Sequence, residues 1–293
     1  FNQKIMEKNL YIDASHPNET RVVLKSNGNI EDYEYESIKN TLIKNNIYLG
    51  KVSRVEPSLQ SAFIDFGRER HGFLSFNDIQ SDYYQIPQTD LEKIKLEEEK
   101  VREELLKESE KEEEKNIIEN NININDPVEK NLDQNHNVEK TLAETKYPKK
   151  RYKIQEVIKP NQVILVQVLK DERGLKGAAL STFISIAGKY IVLMPNTPKG
   201  GGISRKIFNP AERKKIRTIL NQIIIPKEMG IIVRTAGSNK TKNEIDRDLQ
   251  NLIKIWESIK ENALNSIAPS LIHKESEIIK RTLRDMYDED TQN

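Results

Sequence analysis

The sequence predicts an α+β fold that contains a small antiparallel β-barrel and is interrupted by a long acidic insert. Short strand-like runs separated by turn residues fill positions 8–80, and amphipathic helix patterns follow position 209. Between these two regions the composition changes abruptly over positions 88–146. A chain of 293 residues has room for two or three such modules.

The N-terminal positions 8–36 predict three strands. The turn signal Ser26-Asn27-Gly28-Asn29 follows the β-branched run at 20–25. A unit this short cannot bury its own apolar face. We therefore expect it to pack on an element from the C-terminal part of the chain.

The barrel is predicted from the strands that follow. Strand-like runs at 47–55, 61–66 and 72–75 are joined by turns at 56–58 and 67–70. Dense short strands with glycine at the bends are typical of small closed barrels.

The acidic insert differs in kind from the rest of the chain. Positions 88–146 carry 18 acidic and 10 basic side chains, a net charge of −8, so the remainder carries +9 within a total of +1. Positions 91–115 are mostly charged and predict a solvated helix, whereas the Asn-rich positions 116–137 predict disorder. The alternative is a segment that folds on contact with a partner. The basic remainder indicates a polyanionic partner.

The C-terminal half predicts alternating strands and helices. Strands are predicted at 157–170, 177–185, 189–194 and 230–235, a glycine-rich loop at 199–204, and helices at 209–223, 244–265 and 273–288. The first of these helices has Asn209 as its predicted N-cap and Pro210 at its first position.

Composition excludes several classes of site and protein. The chain has no cysteine, so disulfides and Cys-ligated zinc are excluded within it, and its four histidines are widely separated in sequence. No apolar run approaches the roughly 20 residues of a membrane helix, and the first residues, FNQKIMEKNLYID, lack the apolar stretch expected of a secretory signal. These features favour a cytoplasmic protein. The first residue is not Met, so we expect a fragment of a longer chain.

One face of the predicted barrel carries aromatic and basic residues together. Strand alternation places Phe63, Asp65 and Phe73 on one surface, with Lys51 and Arg54 nearby. Exposed rings beside cations bind single-stranded nucleic acid, because bases stack on the rings and phosphates pair with the cations. The alternative is that the phenylalanines fill the barrel core.

Several blocks resemble the ribonuclease E/G family and, within it, the S1 RNA-binding domain, an OB-fold barrel. These blocks are EPSLQSAFIDFGRERHGFL, DERGLKGAALSTFISIAGKYIVLMPNTPKGGGISRKI, GIIVRTAG and PSLIHKES. The resemblance implies a split RNase H-like subdomain, at 1–46 and 279–293, in which the S1 domain is nested. It implies the S1 domain at 47–182, with the insert inside it, and an α/β 5′-sensor subdomain at 183–278.

The resemblance also implies site residues. The arginine and threonine that bind a 5′-monophosphate match Arg234 and Thr235, the assisting backbone amides match Gly188 and Val192, and a neighbouring arginine matches Arg205. The RNA-binding residues of the barrel and channel match Phe63, Phe73 and Lys176.

The residues themselves support a phosphate site, because a terminal phosphate needs a guanidinium, a hydroxyl and convergent N–H groups. Arg234 and Thr235 supply the first two, and the small residues at 187–188 would let a phosphate approach the backbone. The alternatives are a surface salt bridge for Arg234 and a plain flexible loop for the glycines at 200–202.

The expected function is the RNA-binding and 5′-monophosphate-sensing part of an endoribonuclease. The resemblance implies catalytic carboxylates that hold magnesium and a zinc link between subunits, both outside this chain, and it implies a homo-oligomer with RNA-decay partner proteins. Neither catalytic nor metal residues are assigned here, because the acidic positions 285 and 288–290 are typical of a solvated helix end. A stand-alone RNA-binding module and an acidic interaction scaffold are the alternatives.

Overall fold

A computed structural model describes residues 8–37, 42–100, 152–174, 176–197, 201–226, 228–275, 277–287 and 291. The strands are β1 (Lys8–Asp13), β2 (Glu19–Ser26), β3 (Asn29–Ser37), β4 (Ile47–Glu56), β5 (Ser61–Asp65), β6 (Gly72–Ser75), β7 (Val163–Lys170), β8 (Ala179–Ser181), β9 (Ile186–Ala187), β10 (Ile191–Met194), β11 (Gly201–Ile203), β12 (Gly230–Val233) and β13 (Ser270–His273). The helices are α1 (88–100 within the described part), α2 (Ile154–Val157), α3 (Pro210–Leu220), α4 (Lys242–Leu264) and α5 (Ile278–Asp285). The architecture is therefore α+β, as predicted.

The N-terminal strands β1, β2 and β3 form an antiparallel sheet. Their second turn contains Asn27 and Gly28, both with positive φ, as the tight two-residue hairpin requires. Val22 and Leu24 of β2 form a small core with Ile278 of α5. The expectation that this unit packs on a C-terminal element is confirmed. Its RNase H-like identity stays a prediction.

Five strands close the barrel in the order β4-β5-β6-β8-β7, and β7 pairs again with β4. The ten-residue β4 makes closure possible, because residues 47–51 pair with β7 and residues 51–56 pair with β5. The pairing of β6 with β8 is parallel, whereas the other pairings in the ring are antiparallel. The barrel is closed around an apolar core, and this arrangement is consistent with an OB-fold.

The start of the insert lies against the barrel. Within the described residues, α1 covers 88–100. The Tyr152 hydroxyl donates to Asp90 at 2.8 Å, and the Ser81 hydroxyl donates to Glu98 at 3.1 Å. The predicted disorder at 116–137 lies outside the described residues.

A second sheet has the order β11-β12-β10-β9 and packs against α3 and α4. Asn209 caps α3 as predicted, since its side chain accepts the Ala211 N–H at 3.0 Å. The strand β13 pairs with β4 of the barrel. Ile47 and Leu49 of β4 accordingly belong to the core of the second sheet.

Several predicted elements are wrong in extent. The strand predicted at 157–170 begins only at Val163, because Asn161 adopts a φ of 67° and turns the chain after the single helical turn α2. The strand predicted at 177–185 is limited to β8, because the Thr182 N–H leaves the ladder to donate to the Asp78 carbonyl at 2.9 Å.

Two further predictions need correction. The glycine-rich loop predicted at 199–204 contains the strand β11, which runs parallel to β12. The helix predicted at 273–288 is replaced at its start by β13, and α5 begins only at Ile278. In both places, pairing with a neighbouring strand overrides the local sequence preference.

Barrel closure predicts one sharp stability effect. An added Cβ at Gly177 would overlap the backbone carbonyl oxygen of His71, which cannot swing away as a side chain can. We expect Gly177→Ala to lower the free energy of unfolding by about 1–3 kcal/mol. Urea denaturation of the purified chain measures this change.

The matched control for that substitution is Gly202→Ala. A Cβ at Gly202 meets its nearest neighbour, Ile232, at an ordinary 3.5 Å. We expect this variant to be unchanged or more stable by up to about 1 kcal/mol. Equal stability of the two variants would contradict the proposed steric limit at Gly177.

Candidate functional site

The outer face of the barrel carries two aromatic rings and a guanidinium in contact. Phe63 and Phe73 are opposite one another in register, with ring centroids 6.0 Å apart and planes at 74°. The Arg54 guanidinium carbon lies 4.5 Å from the Phe63 centroid. The Phe73 residue is 37% exposed, whereas Phe66 is 1% exposed in the barrel core. The interpretation as an exposed stacking surface therefore fits Phe63 and Phe73, whereas the interpretation as a core residue fits Phe66.

The basic residues predicted for this face lie at its edges. Lys51 on β4 is in register with Asp65 on β5. Lys176 is exposed and lies two residues before Ala178, whose carbonyl accepts the Phe73 N–H at 2.8 Å. The turn that carries Lys176 is held by a hydrogen bond from Arg70 to the Gly174 carbonyl. Lys176 is thus close to Phe73 along the backbone.

Arg234 stands where β12 ends and is held by its own backbone and by its side chain. Its N–H donates to the Tyr190 carbonyl at 2.8 Å. Its Nη1 donates to the Gly188 carbonyl at 2.7 Å and lies 2.7 Å from Asp285 Oδ1. The salt-bridge alternative for Arg234 is thus present. The next residue, Thr235, begins a short 3₁₀ turn and is exposed.

A second arginine completes an ion network around Asp285. Arg284 pairs with Asp285 at 2.8 Å and with Glu275 at 2.6 Å. Burial alone raises the pKa of Asp285, but hydrogen bonds and charge from Arg284 and Arg234 lower it below its ordinary value. Burial lowers the pKa of Arg284, but hydrogen bonds and charge from Asp285 and Glu275 raise it by more, so its pKa lies above the ordinary value. Asp285 and Arg284 are therefore both charged at neutral pH.

A cavity of about 330 Å³ opens beside this network, and it is lined by basic, aromatic and hydroxyl groups together with two aspartates, Asp32 and Asp285, and apolar side chains. Thr235, Lys189 and Lys240 contribute polar groups, and Tyr190 and Tyr287 contribute rings. The Lys189 Nζ lies 5.8 Å and 5.5 Å from the two ring centroids, and the Lys240 Nζ lies 5.4 Å from that of Tyr190. The cavity has the size of a small ligand site.

Sequence reasoning missed both lysines. Lys189 lies next to the predicted Gly188, so its position was a usable signal. Lys240 precedes α4 in a segment with no motif, and only the folded chain brings it to the cavity.

The other residues predicted to bind the phosphate are Gly188, Val192 and Arg205, and backbone hydrogen bonds and strand pairing fix their positions. The Gly188 N–H donates to the Ile191 carbonyl at 2.8 Å, so this amide already has a partner. Val192 lies within β10, in register with Ile232 of β12. Arg205 is exposed and follows Ser204, whose N–H donates to the Val233 carbonyl at 2.9 Å. The backbone thus brings these residues to one end of the second sheet.

The described ranges also bear on metal binding and on membrane insertion. Within them, no three or more His, Asp or Glu side chains are grouped to hold a metal ion. Asp285 is engaged by two arginines, and the acidic positions 288–290 lie outside the described residues. None of the described helices has the length and apolar character needed to cross a membrane.

Comparison with known proteins gives a consistent family. A family model described as the ribonuclease E/G family matches residues 185–293. Ribonuclease E of Haemophilus influenzae is 36% identical over 278 residues, which is 95% of this chain and 23% of that protein. Ribonuclease E of Escherichia coli is 35% identical over 283 residues, which is 97% of this chain and 21% of that protein. These relatives are ribonucleases. The chain belongs to the ribonuclease E/G family.

The chain spans about a quarter or less of the length of these ribonuclease E relatives. Ribonuclease G of Haemophilus influenzae is 26% identical over 269 residues, which is 92% of this chain and 43% of that protein. Within one organism, the similarity is thus higher to ribonuclease E than to ribonuclease G.

The ion network predicts a pH-dependent contribution to stability. Because the folded-state pKa of Asp285 is lowered, its ion pairs stabilise the fold above the ordinary pKa of 3.8, and this contribution is lost as the pH falls through the lowered value. We expect Asp285→Asn to be less stable by about 1–2 kcal/mol at pH 7, because the network is partly exposed. Chemical denaturation between pH 3 and pH 7 measures this difference.

The control is Glu261→Gln, which neutralises an exposed carboxylate on α4. Its stability should follow that of the unaltered chain at every pH. A gap between Asp285→Asn and the unaltered chain that stays constant down to pH 3 would contradict the assigned network.

Proposed function

We propose that this chain is the RNA-binding and 5′-monophosphate-sensing part of a ribonuclease E/G-type endoribonuclease. Its substrate would be single-stranded RNA in rRNA and tRNA processing and in mRNA decay. The observation that carries the proposal is the position of Thr235, the residue next to Arg234, at a cavity that is also lined by Lys189 and Lys240. Arg234 reaches this cavity through its ion pair with Asp285, which is one of the lining residues.

The chemistry of that cavity suits a terminal phosphate. A phosphate monoester carries up to two negative charges and several acceptor oxygens, which favour cations and a hydroxyl donor. A guanidinium has five N–H donors, so the bonds of Arg234 Nη1 to Gly188 and Asp285 leave the group able to serve a further acceptor. The rings of Tyr190 and Tyr287 provide apolar walls for the terminal nucleotide.

The barrel face suits the RNA strand. Phe63 and Phe73 offer partly exposed rings, and Arg54, Lys51 and Lys176 offer charge around them. Stacking on such rings accepts any base, whereas the cations pair with the phosphates of the strand. This surface thus supports an S1-type RNA-binding role.

Further proposals concern the full-length protein of which this chain would be a part. We place hydrolysis, its magnesium ions and a zinc-linked homo-oligomer in parts of the protein outside these 293 residues. A chain without cysteine supplies no thiolate to zinc. RNA-decay partner proteins and a cytoplasmic location belong to the same proposal. The alternative is a stand-alone, non-catalytic S1-type RNA-binding protein.

The barrel face predicts a loss of affinity without a loss of fold. We expect Phe63→Ala or Phe73→Ala to weaken binding of a single-stranded RNA by about 1–3 kcal/mol, because a stacking platform is lost. Fluorescence anisotropy with a labelled oligonucleotide measures the affinity, and circular dichroism checks the fold.

Two phenylalanines serve as controls for that experiment. Phe208 is 84% exposed outside the barrel, so Phe208→Ala should leave RNA affinity unchanged. Phe66 is buried in the core, so Phe66→Ala should lower the stability instead. If Phe73→Ala binds RNA as well as Phe208→Ala does, the stacking surface is wrong.

The sensor predicts a dependence on the 5′ end. We expect Arg234→Ala to weaken binding of 5′-monophosphorylated RNA by about 1.5–3 kcal/mol, on the order of 10–100-fold, because charge-assisted hydrogen bonds are lost. Thr235→Val keeps the side-chain shape and should cost less. Neither variant should much affect 5′-hydroxyl RNA of the same sequence, measured at the same salt concentration.

Arg247→Ala is the matched control, since it removes an exposed arginine from α4 and changes the net charge equally. It should weaken both RNAs slightly and equally. The same pattern for Arg234→Ala would mean that Arg234 is only part of a basic surface.

A further inference from the structure

The carboxylate of Asp248 accepts hydrogen bonds from the backbone turn that also holds Arg234. Three consecutive N–H groups point at it, those of Lys189 at 3.4 Å, Tyr190 at 2.8 Å and Ile191 at 3.1 Å. Successive amides that converge on one point form a concavity for an anion. Here the anion is a side chain of the protein itself.

The position of Asp248 is fixed by the helix that carries it. The capping box between Thr241 and Glu244 sets the start of α4. Ile245 and Leu249 are fully buried on the face that packs against the second sheet. Asp248 lies between them on the same side of the helix, so its carboxylate reaches the turn before β10.

Gly188 is shaped by this carboxylate. A Cβ at Gly188 would lie 2.6 Å from Asp248 Oδ2 and 2.8 Å from Oδ1, closer than real Cβ contacts allow. Among the described glycines with positive φ are Gly28, Gly67 and Gly174, and Gly188 is not in that set. Close approach of Asp248, rather than backbone freedom, is therefore what requires glycine here.

The backbone turn that Asp248 holds also binds Arg234. The Gly188 carbonyl accepts from Arg234 Nη1 at 2.7 Å, and the Tyr190 carbonyl accepts from the Arg234 N–H at 2.8 Å. The same turn presents Lys189 and Tyr190 to the cavity. Both ends of the sensor arginine thus depend on the shape of residues 188–190.

We propose that Asp248 is a positioning residue for 5′-phosphate recognition, and that Gly188 is glycine in order to admit Asp248. This assignment rests on the proposed function. It differs from the expectation that small residues at 187–188 serve to let the phosphate reach the backbone.

The first experiment measures the preference for a 5′-monophosphate. The purified chain is titrated with 5′-monophosphorylated and 5′-hydroxyl RNAs of one sequence at fixed salt. We expect Asp248→Ala to reduce the affinity ratio of the two RNAs about fivefold to tenfold, since Arg234 loses its fixed orientation. Asp248→Asn keeps one acceptor and the shape, so it should retain part of the preference. Glu257→Gln, an exposed carboxylate on α4, should retain all of it.

The second experiment tests the steric part without RNA. Gly188→Ala should lower the thermal stability strongly in the unaltered chain. In the Asp248→Ala background the space beside Gly188 is open, so the same substitution should have little further effect. A double-mutant cycle on melting temperature measures this coupling.

The outcomes separate the proposals. Strong coupling together with a selective loss of 5′-monophosphate preference supports the assignment. Additive effects in the cycle overturn the steric part, and an equal loss for both RNAs overturns the positioning role. An unaltered chain with no preference between the RNAs overturns the proposed function, and with it the positioning role, while the cycle still decides the steric claim.

Discussion

The pairing of β4 with three other strands is the constraint on which the fold depends. Its first half pairs with β7 and with β13, and its second half pairs with β5. Because residues 47–49 pair with both β7 and β13, and Lys51 pairs with both β7 and β5, the strands β13 and β5 share one edge of β4 and β7 takes the other. Gly50 lies near the point of change, where an added Cβ would come within 2.5 Å of Ile64 Cγ2. The same strand closes the barrel and joins it to the second sheet.

The two proposed RNA contacts use different physics on this shared frame. The barrel face relies on ring stacking and on cations that stay in solvent, so its affinity depends on strand length and salt rather than on one geometry. The site around Arg234 relies on a fixed arrangement in a partly buried place. Its arginine is held by Gly188 and Tyr190, which lie in the turn between β9 and β10, and by Asp285 at the end of α5. The proposal therefore combines sequence-tolerant RNA binding at the barrel face with recognition of one terminal group at the site around Arg234.

Local patterns predicted much of this structure. Strand alternation predicted that Phe63 and Phe73 share one face, and the structure has the two rings in contact, with their centroids 6.0 Å apart. The cap at Asn209 and the N-terminal hairpin also follow from neighbouring residues. The boundaries around β8 and α5 do not, because hydrogen bonds to distant segments decide where those elements begin and end.

The parts of the site that escaped prediction are those made by tertiary contact. Asp285 meets Arg234, and Asp248 meets Gly188, across 51 and 60 positions of sequence. Neither aspartate belongs to a motif, and each sits in a helix whose pattern shows only an apolar face. Family resemblance located Arg234 and Gly188. It did not show what holds them in place.

The two ends of the insert meet on the barrel. Tyr152 bonds to Asp90, and the Gln85 N–H donates to the Val157 carbonyl at 2.8 Å, so the chain leaves and returns at nearly one point. The free-energy cost of closing a chain segment between fixed ends grows slowly with its length, by about 0.6 kcal/mol for each doubling. The barrel therefore sets almost no limit on how many residues are spliced in at this point. A change in the length of the connection would leave the strand pairing of the barrel as it is.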